Sequence, residues 1–343
     1  MPRRWTRRVI TVPGYLLAFA LAVVLLPVLL PLAAAVDLVH RERMATTRFL
    51  AAVTLYLAFE ALGLAVLGWI FATGGVSPES ARQRVRLYQL EHWWATALLQ
   101  ALLWLFGMKL EIEGAEVVRP GPIVLVANHV SVADVLLPAS LVADRLGIRL
   151  RYVAKRELLW DPCVDFAGHW LPNVFVRRGS ADTPGDVARV QALLEGLGPE
   201  DGVFLFPEGT RSTPERRARL LAGRAATGWT ELVERGRRLS TLMPPRLSGV
   251  LGLLDRDSGA DVVFMAHAGF DGVRRISDMW NGVLIGRTVR VAFWRCRRAS
   301  IPADREGRID WLFREWERLD AWVSGHQSPP RAGLGVAASA LGP

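Results

Sequence analysis

The run Ile123-Val124-Leu125-Val126-Ala127-Asn128-His129-Val130-Ser131-Val132-Ala133-Asp134 changes character at its middle. Its first five residues are apolar without interruption, as in a β-strand covered on both faces. The residues that follow are polar or small and contain a helix-start pattern. A strand that ends in this way carries its polar side chains to the carboxyl edge of a sheet, where open α/β sheets hold their sites. Histidine is the side chain best suited to take a proton near neutral pH. A carboxylate can fix its tautomer and stabilise the imidazolium. Five positions put His129 and Asp134 roughly 140° apart on an ideal helix. The two meet only if His129 lies in the loop and Asp134 in the first turn. Ser131 and Asp134 also have capping-box spacing, so a simple helix cap explains the same residues.

Outward from this run, Leu150–Ala154, Val174–Arg177, Val203–Phe206 and Val262–Ala266 are further short apolar strands, and Val283–Trp294 is a longer strand or a hairpin. Helical patterns separate them. Thr183-Pro184-Gly185-Asp186 is a capping box with proline at the first helical position, opening a helix expected to reach Leu197. Residues 304–323 form a last helix with Trp311, Leu312, Trp316, Leu319 and Trp322 on its apolar side. Strands alternating with helices define an α/β fold over residues 84–324, a mainly parallel or mixed sheet flanked by helices. Residues 325–343 are Gly, Ala, Ser and Pro for the most part and read as a disordered tail.

Residues 1–83 are different material. Residues 9–36 contain no charge, and residues 49–73 are interrupted only by Glu60. About 20 apolar residues suffice to span a bilayer. The two stretches read as a membrane helical hairpin, with Pro13, Pro27 and Pro31 implying kinks or re-entry in the first. The first stretch is too long for a cleavable leader. Glu60 is expected to face the partner helix or to be protonated. Arg3, Arg4, Arg7, Arg8, Arg82, Arg84 and Arg86 flank the hairpin, against Arg41, Arg43 and Arg48 in its loop. That bias puts both ends in the cytoplasm. Residues 84–106 carry the polar stripe Gln89, His92, Thr96 and Gln100 beside Trp93, Trp94 and Trp104, a pattern for a helix at the membrane interface or in the core of the α/β domain.

Composition agrees. Hydrophobic residues are 51% of the 343, yet 42 residues are basic, which favours a membrane-associated protein and excludes extensive disorder. All the basic residues except Lys109 and Lys155 are arginine, and the net charge is +9. Such a surplus favours anionic lipid surfaces, phosphate ligands or nucleic acid. No zinc finger or RNA-recognition signature is present, so membrane lipids are the expected partners and no nucleic acid is. Cys163 and Cys296 are the only cysteines, which excludes a disulfide framework and a thiolate zinc centre, and no metal site is expected.

A second constellation is Phe204-Leu205-Phe206-Pro207-Glu208-Gly209-Thr210-Arg211-Ser212. Again an apolar strand runs into a turn. Gly209 permits an unusual backbone or close approach to a ligand. Arg211 offers a planar fork suited to phosphate, and Glu208 can orient that arginine or a substrate hydroxyl. A plain Pro-Glu-Gly turn with solvated charges has the same composition.

Taken together, Asn128, His129 and Asp134, followed by Phe206-Pro207-Glu208-Gly209-Thr210-Arg211, resemble the paired motifs of the glycerolipid acyltransferase family, which includes 1-acylglycerol-3-phosphate acyltransferases. Ala154-Lys155-Arg156-Glu157-Leu158, Phe175-Val176-Arg177-Arg178 and Leu242-Met243-Pro244-Pro245-Arg246 resemble further family segments, over residues 85–275 in all. The fourth block departs: Phe264-Met265-Ala266-His267-Ala268 stands where the family often has Val-Pro. His267 reads as a structural histidine at a strand end.

The resemblance implies acyl transfer from acyl-CoA or acyl carrier protein, with no bound cofactor, to the free hydroxyl of 1-acylglycerol 3-phosphate. His129 would be the base and Asp134 its partner. Asn128, Lys155, Arg178, Glu208, Gly209, Thr210 and Arg211 would hold substrate. Another lysophospholipid, a glycolipid or glycerol 3-phosphate would fit the same motifs, as would a thioesterase using the base on water. The expected place is the cell membrane, integral, with the catalytic domain facing the cytoplasm.

Overall fold

The computed structural model describes residues 4–74, 80–177, 184–209, 214–226, 230–273 and 275–327. Three helices come first: α1 (Arg4–His40), α2 (Ala45–Gly74) and α3 (Ala81–Leu105). Then follow β1 (Lys109–Glu113), β2 (Ile123–Ala127), β3 (Arg149–Lys155), α4 (Pro162–Trp170), β4 (Val174–Val176), α5 (Pro184–Ala192) and β5 (Asp201–Leu205). The chain continues through α6 (Pro214–Ala226), α7 (Thr230–Arg238), α8 (Leu247–Leu254), β6 (Asp261–Ala268), β7 (Thr288–Cys296) and α9 (Arg305–His326).

The strands form one seven-stranded sheet in the order β1-β7-β6-β2-β5-β3-β4. All neighbours are parallel except β6 and β7. β2 is buried throughout. Its side chains alternate across the sheet. Ile123, Leu125 and Ala127 join a core with Leu99, Phe106 and Leu137, whereas Val124 and Val126 join Val250, Leu254, Leu312 and Trp316. Helices therefore cover both faces, and this is why β2 reads as a continuous apolar run. The α/β expectation holds with three differences in detail. The long segment is a single strand that starts at Thr288, because Val283–Arg287 is spent on the turn that brings β7 back antiparallel to β6. α5 stops at Ala192, short of Leu197. β1 is an additional edge strand on β7. Thr183 and residues 328–343 lie outside the described residues.

α1 and α2 are both long and apolar enough to cross a membrane. α1 is one helix through Pro13, Pro27 and Pro31, so no re-entrant break interrupts it. Asp37 pins its end to the start of α2, accepting from Thr46 N–H (3.0 Å), Thr47 N–H (2.8 Å) and the Thr47 hydroxyl (2.7 Å).

α2 leans along the α/β body. Phe49 stacks on Trp280 at 5.2 Å, the Tyr56 hydroxyl donates to Asp161 (2.9 Å), and Phe71 meets Trp170 at 4.9 Å. At about 1.5 Å per residue, Phe49 and Phe71 are roughly 33 Å apart. Glu60 turns to α4 rather than to α1, accepting from Cys163 N–H at 3.3 Å. The approach is close because position 63 is glycine: a Cβ there would lie 2.7 Å from Cys163 Sγ. α1 in turn leaves Leu17, Val24, Val28, Leu32 and Val39 exposed, a ridge of the kind that marks a membrane contact.

The N-terminus of α1 is fastened separately. Arg7 and Arg8, both buried, converge on Asp165 of α4. Arg8 Nε donates at 3.0 Å, and a second Arg8 nitrogen donates to the Asp165 carbonyl at 2.9 Å. α3 is a core helix: Leu87 and Leu99 are buried, Thr96 donates to Asp144 (2.9 Å), and Trp104 stays exposed.

Candidate active site

β2, β5, β3 and β6 run parallel, so their carboxyl ends share one edge of the sheet. The chain leaves β2 through Asn128 and His129. A short turn of helix, Ala133–Val135, then carries Asp134 back. His129 Nδ1 lies 3.2 Å from Asp134 Oδ2. The same oxygen accepts from Val130 N–H (2.6 Å) and Ser131 N–H (2.8 Å). The cap and the dyad are thus one structure: backbone amides hold Asp134 as it faces the imidazole. Among hydrogen bonds, those to an ionised acceptor are the strong ones. Phe206 stacks on the ring at 4.4 Å and 24°.

β5 delivers Glu208 to the same place. One of its oxygens accepts from His129 N–H (2.7 Å) and the other from Met243 N–H (3.1 Å). Burial pushes this carboxyl up to about 8, although the two amides draw it down. Glu208 therefore ties the β5 turn to the β2 turn and to the segment before α8. That segment is fixed from α9. Asp320 accepts from Ser240, Thr241 and Leu242 N–H at 2.6, 2.9 and 2.8 Å, and Trp316 Nε1–H donates to the Met243 carbonyl at 2.9 Å.

Asn128 also spends its side chain on the backbone. Its amide donates to the His267 carbonyl (3.0 Å) and accepts from His267 N–H (2.9 Å), continuing the β2–β6 ladder for one more step. Lys155 ends β3 on the shared edge. Gly209 has φ of +65°, and a Cβ there would stand 2.8 Å from Arg246 Nε. Arg246 thus lies against the Glu208 turn, and its N–H donates to the Pro207 carbonyl at 2.8 Å. Arg178, Thr210 and Arg211 fall outside the described residues.

The sequence motifs therefore bring together His129, Asp134, Glu208, Gly209 and Asn128. Arg246 and His267 belong to the same neighbourhood. Both were visible as motif members, but their proximity depends on pairing between strands and loops far apart in the chain. Gly209→Ala is expected to lower kcat/KM about tenfold, since an L-residue at positive φ is strained and its methyl displaces Arg246. Steady-state kinetics beside a melting curve would check this.

One edge of the α/β sheet thus carries a histidine–carboxylate pair with a Pro-Glu-Gly turn against the same histidine. Residues 109–239 match the family model described as Acyltransferase. That match supports a glycerolipid acyltransferase family for this part of the chain. It is similar to a lyso-ornithine lipid O-acyltransferase of Rhizobium meliloti (strain 1021), 34% identical over 125 residues, which are 36% of this chain and 38% of that protein. The match thus spans well under half the length of the relative. The fold is that of the 1-acyl-sn-glycerophosphate (LPA) acyltransferase PlsC from Thermotoga maritima: TM-score 0.52 and 16% identity, covering 82% of this chain and 99% of that one.

Proposed function

We propose that this protein transfers a fatty acyl group from an acyl thioester to the free hydroxyl of a lysophospholipid, with 1-acylglycerol 3-phosphate as the acceptor. The observation that carries the reading is the 3.2 Å contact of His129 Nδ1 with an Asp134 carboxylate held by two backbone amides. In this arrangement Nδ1 carries the proton and Nε2 is left as the base. Nε2 takes the proton of the acceptor hydroxyl as its oxygen attacks the thioester carbonyl. The tetrahedral intermediate collapses, the carbon–sulfur bond breaks, and the imidazolium returns its proton to the departing thiolate. No acyl-enzyme is required. Asp134 stays ionised and offsets the imidazolium charge.

Arg246 beside Gly209 and Lys155 at the end of β3 give the edge a positive character suited to an anionic headgroup. Arg178 and Arg211 would add to it. The acyl donor is coenzyme A- or acyl carrier protein-linked. The protein associates with the membrane through α1 and α2, with the catalytic edge on the cytoplasmic side where acyl thioesters are made.

The relative from Rhizobium meliloti makes lyso-ornithine lipid the second acceptor to test. The purified protein would be given labelled oleoyl thioester with 1-acylglycerol 3-phosphate, lyso-ornithine lipid, other lysophospholipids or none. Labelled phosphatidic acid is the expected main product. Transfer to lyso-ornithine lipid instead would move the acceptor. Release of free oleate at the same rate without any acceptor would replace the reading by a thioesterase.

A further inference from the structure

The peptide group that joins Asn128 to His129 is gripped at both ends. Its N–H donates to Glu208 at 2.7 Å. Its carbonyl oxygen, which belongs to Asn128, lies 2.7 Å from His267 Nε2. Both side chains are wholly buried. This peptide plane aims the Cα–Cβ bond of the base, so its rotation moves the imidazole away from Asp134. With a carbonyl as partner, Nε2 of His267 must carry the proton. The same Nε2 is 3.7 Å from Asp134 Oδ2. A donor on β6 therefore faces the oxygen that holds His129.

We propose that His267 is a positioning residue for the reaction: its ring N–H locks the Asn128–His129 peptide from the side opposite Glu208 and moderates the Asp134 charge felt by the base. The assignment rests on the proposed role of His129. It gives this chain's departure from the family pattern in the fourth block a physical content. A strand-end residue with no side-chain donor leaves the Asn128 carbonyl without its partner and the peptide held only by Glu208. His267 touches no reacting atom, and it acts through the placement and basicity of His129. Among the described residues, the ionisable groups around His129 and Asp134 are Glu208 and His267, with Asp320 behind Glu208 and Arg246 against its turn.

The test uses the full chain with His267→Phe, which keeps an aromatic ring and loses the N–H, and His267→Gln, which returns an N–H at similar reach. Losing the partner of a buried carbonyl predicts a fall in kcat of roughly tenfold to a hundredfold in His267→Phe, with KM for both substrates within about twofold. His267→Gln should recover most of the loss. With the donor gone, Asp134 stabilises the imidazolium more strongly, so the acid limb of the pH–rate profile should move up by about half a unit and return in His267→Gln. Histidine-labelled NMR reads the same His129 midpoint without any substrate, which separates this proposal from the acyltransfer reading. Unchanged midpoint and kcat in His267→Phe would overturn it. So would equal losses in both variants that track only a lower melting temperature. If His267→Phe does not fold, His267→Leu takes its place with the same expected results.

Discussion

His129→Ala is expected to lower kcat/KM for acyl transfer by about 10²- to 10⁴-fold, the usual contribution of a positioned general base. The loss should appear in kcat, because the ring contributes to the transition state by accepting a proton there. The acid limb of the pH–rate profile should vanish with it. Asp134→Asn is the informative companion. A carboxamide can still accept from Val130 and Ser131 N–H, so the turn can be retained. The same oxygen faces His129 Nδ1, so the tautomer is kept as well, but the negative charge that stabilises the imidazolium is lost. Loss of comparable size with a near-normal melting curve is the expected result. Transfer by His129→Ala above a tenth of the wild-type rate would show that another group removes the proton.

Asp165→Asn is expected to have the largest effect on stability. Arg7 and Arg8 are buried on this one carboxylate, and His169 lies 3.0 Å from it. Removing the charge leaves two guanidinium groups uncompensated, a change that costs about 3–5 kcal/mol in comparable buried pairs. The N-terminal part of α1 should come away from α4, which limited proteolysis in vesicles would detect as new cleavage near Trp5. The pH dependence has a definite sign. Burial raises the Asp165 carboxyl, but hydrogen bonds from His169, Arg7 and Arg8 reverse this and hold it at about 2. Its ordinary value is 3.8. The contribution is thus fully present above about pH 4 and is lost as pH falls towards 2. Wild type and Asp165→Asn should differ most at neutral pH and converge only as pH falls through about 2. A constant gap across that range would remove Asp165 from the docking of α1.

Much of the sheet was legible because its strands are buried on both faces. β2 is an uninterrupted apolar run and β6 contains one from Val262 to Ala266, and their boundaries fall within a residue or two of the expected ones. β1 was not legible for the converse reason. Lys109-Leu110-Glu111-Ile112-Glu113 alternates between polar and apolar residues, and its partner β7 lies some 180 positions away. The dyad was readable from spacing once a loop was assumed between its members. Arg7 and Arg8 mark the limit of such reasoning. Counted with the residues that set orientation, they are in fact sequestered on Asp165, a partner that only tertiary structure supplies. Asn128 and Glu208 are similar: expected near substrate, they place their polar atoms on main-chain groups of His267, His129 and Met243.

The contacts of α2 at Phe49, Tyr56 and Phe71 have a kinematic consequence. A body hung from a single flexible stalk would swivel, and its catalytic edge would sample many heights above the bilayer. Fastened at several points along one rod, it keeps a fixed bearing. The bearing of the His129 edge relative to α2 is therefore set during folding, and inserting a flexible spacer after Gly74 should alter it less than loosening any one of those fastenings.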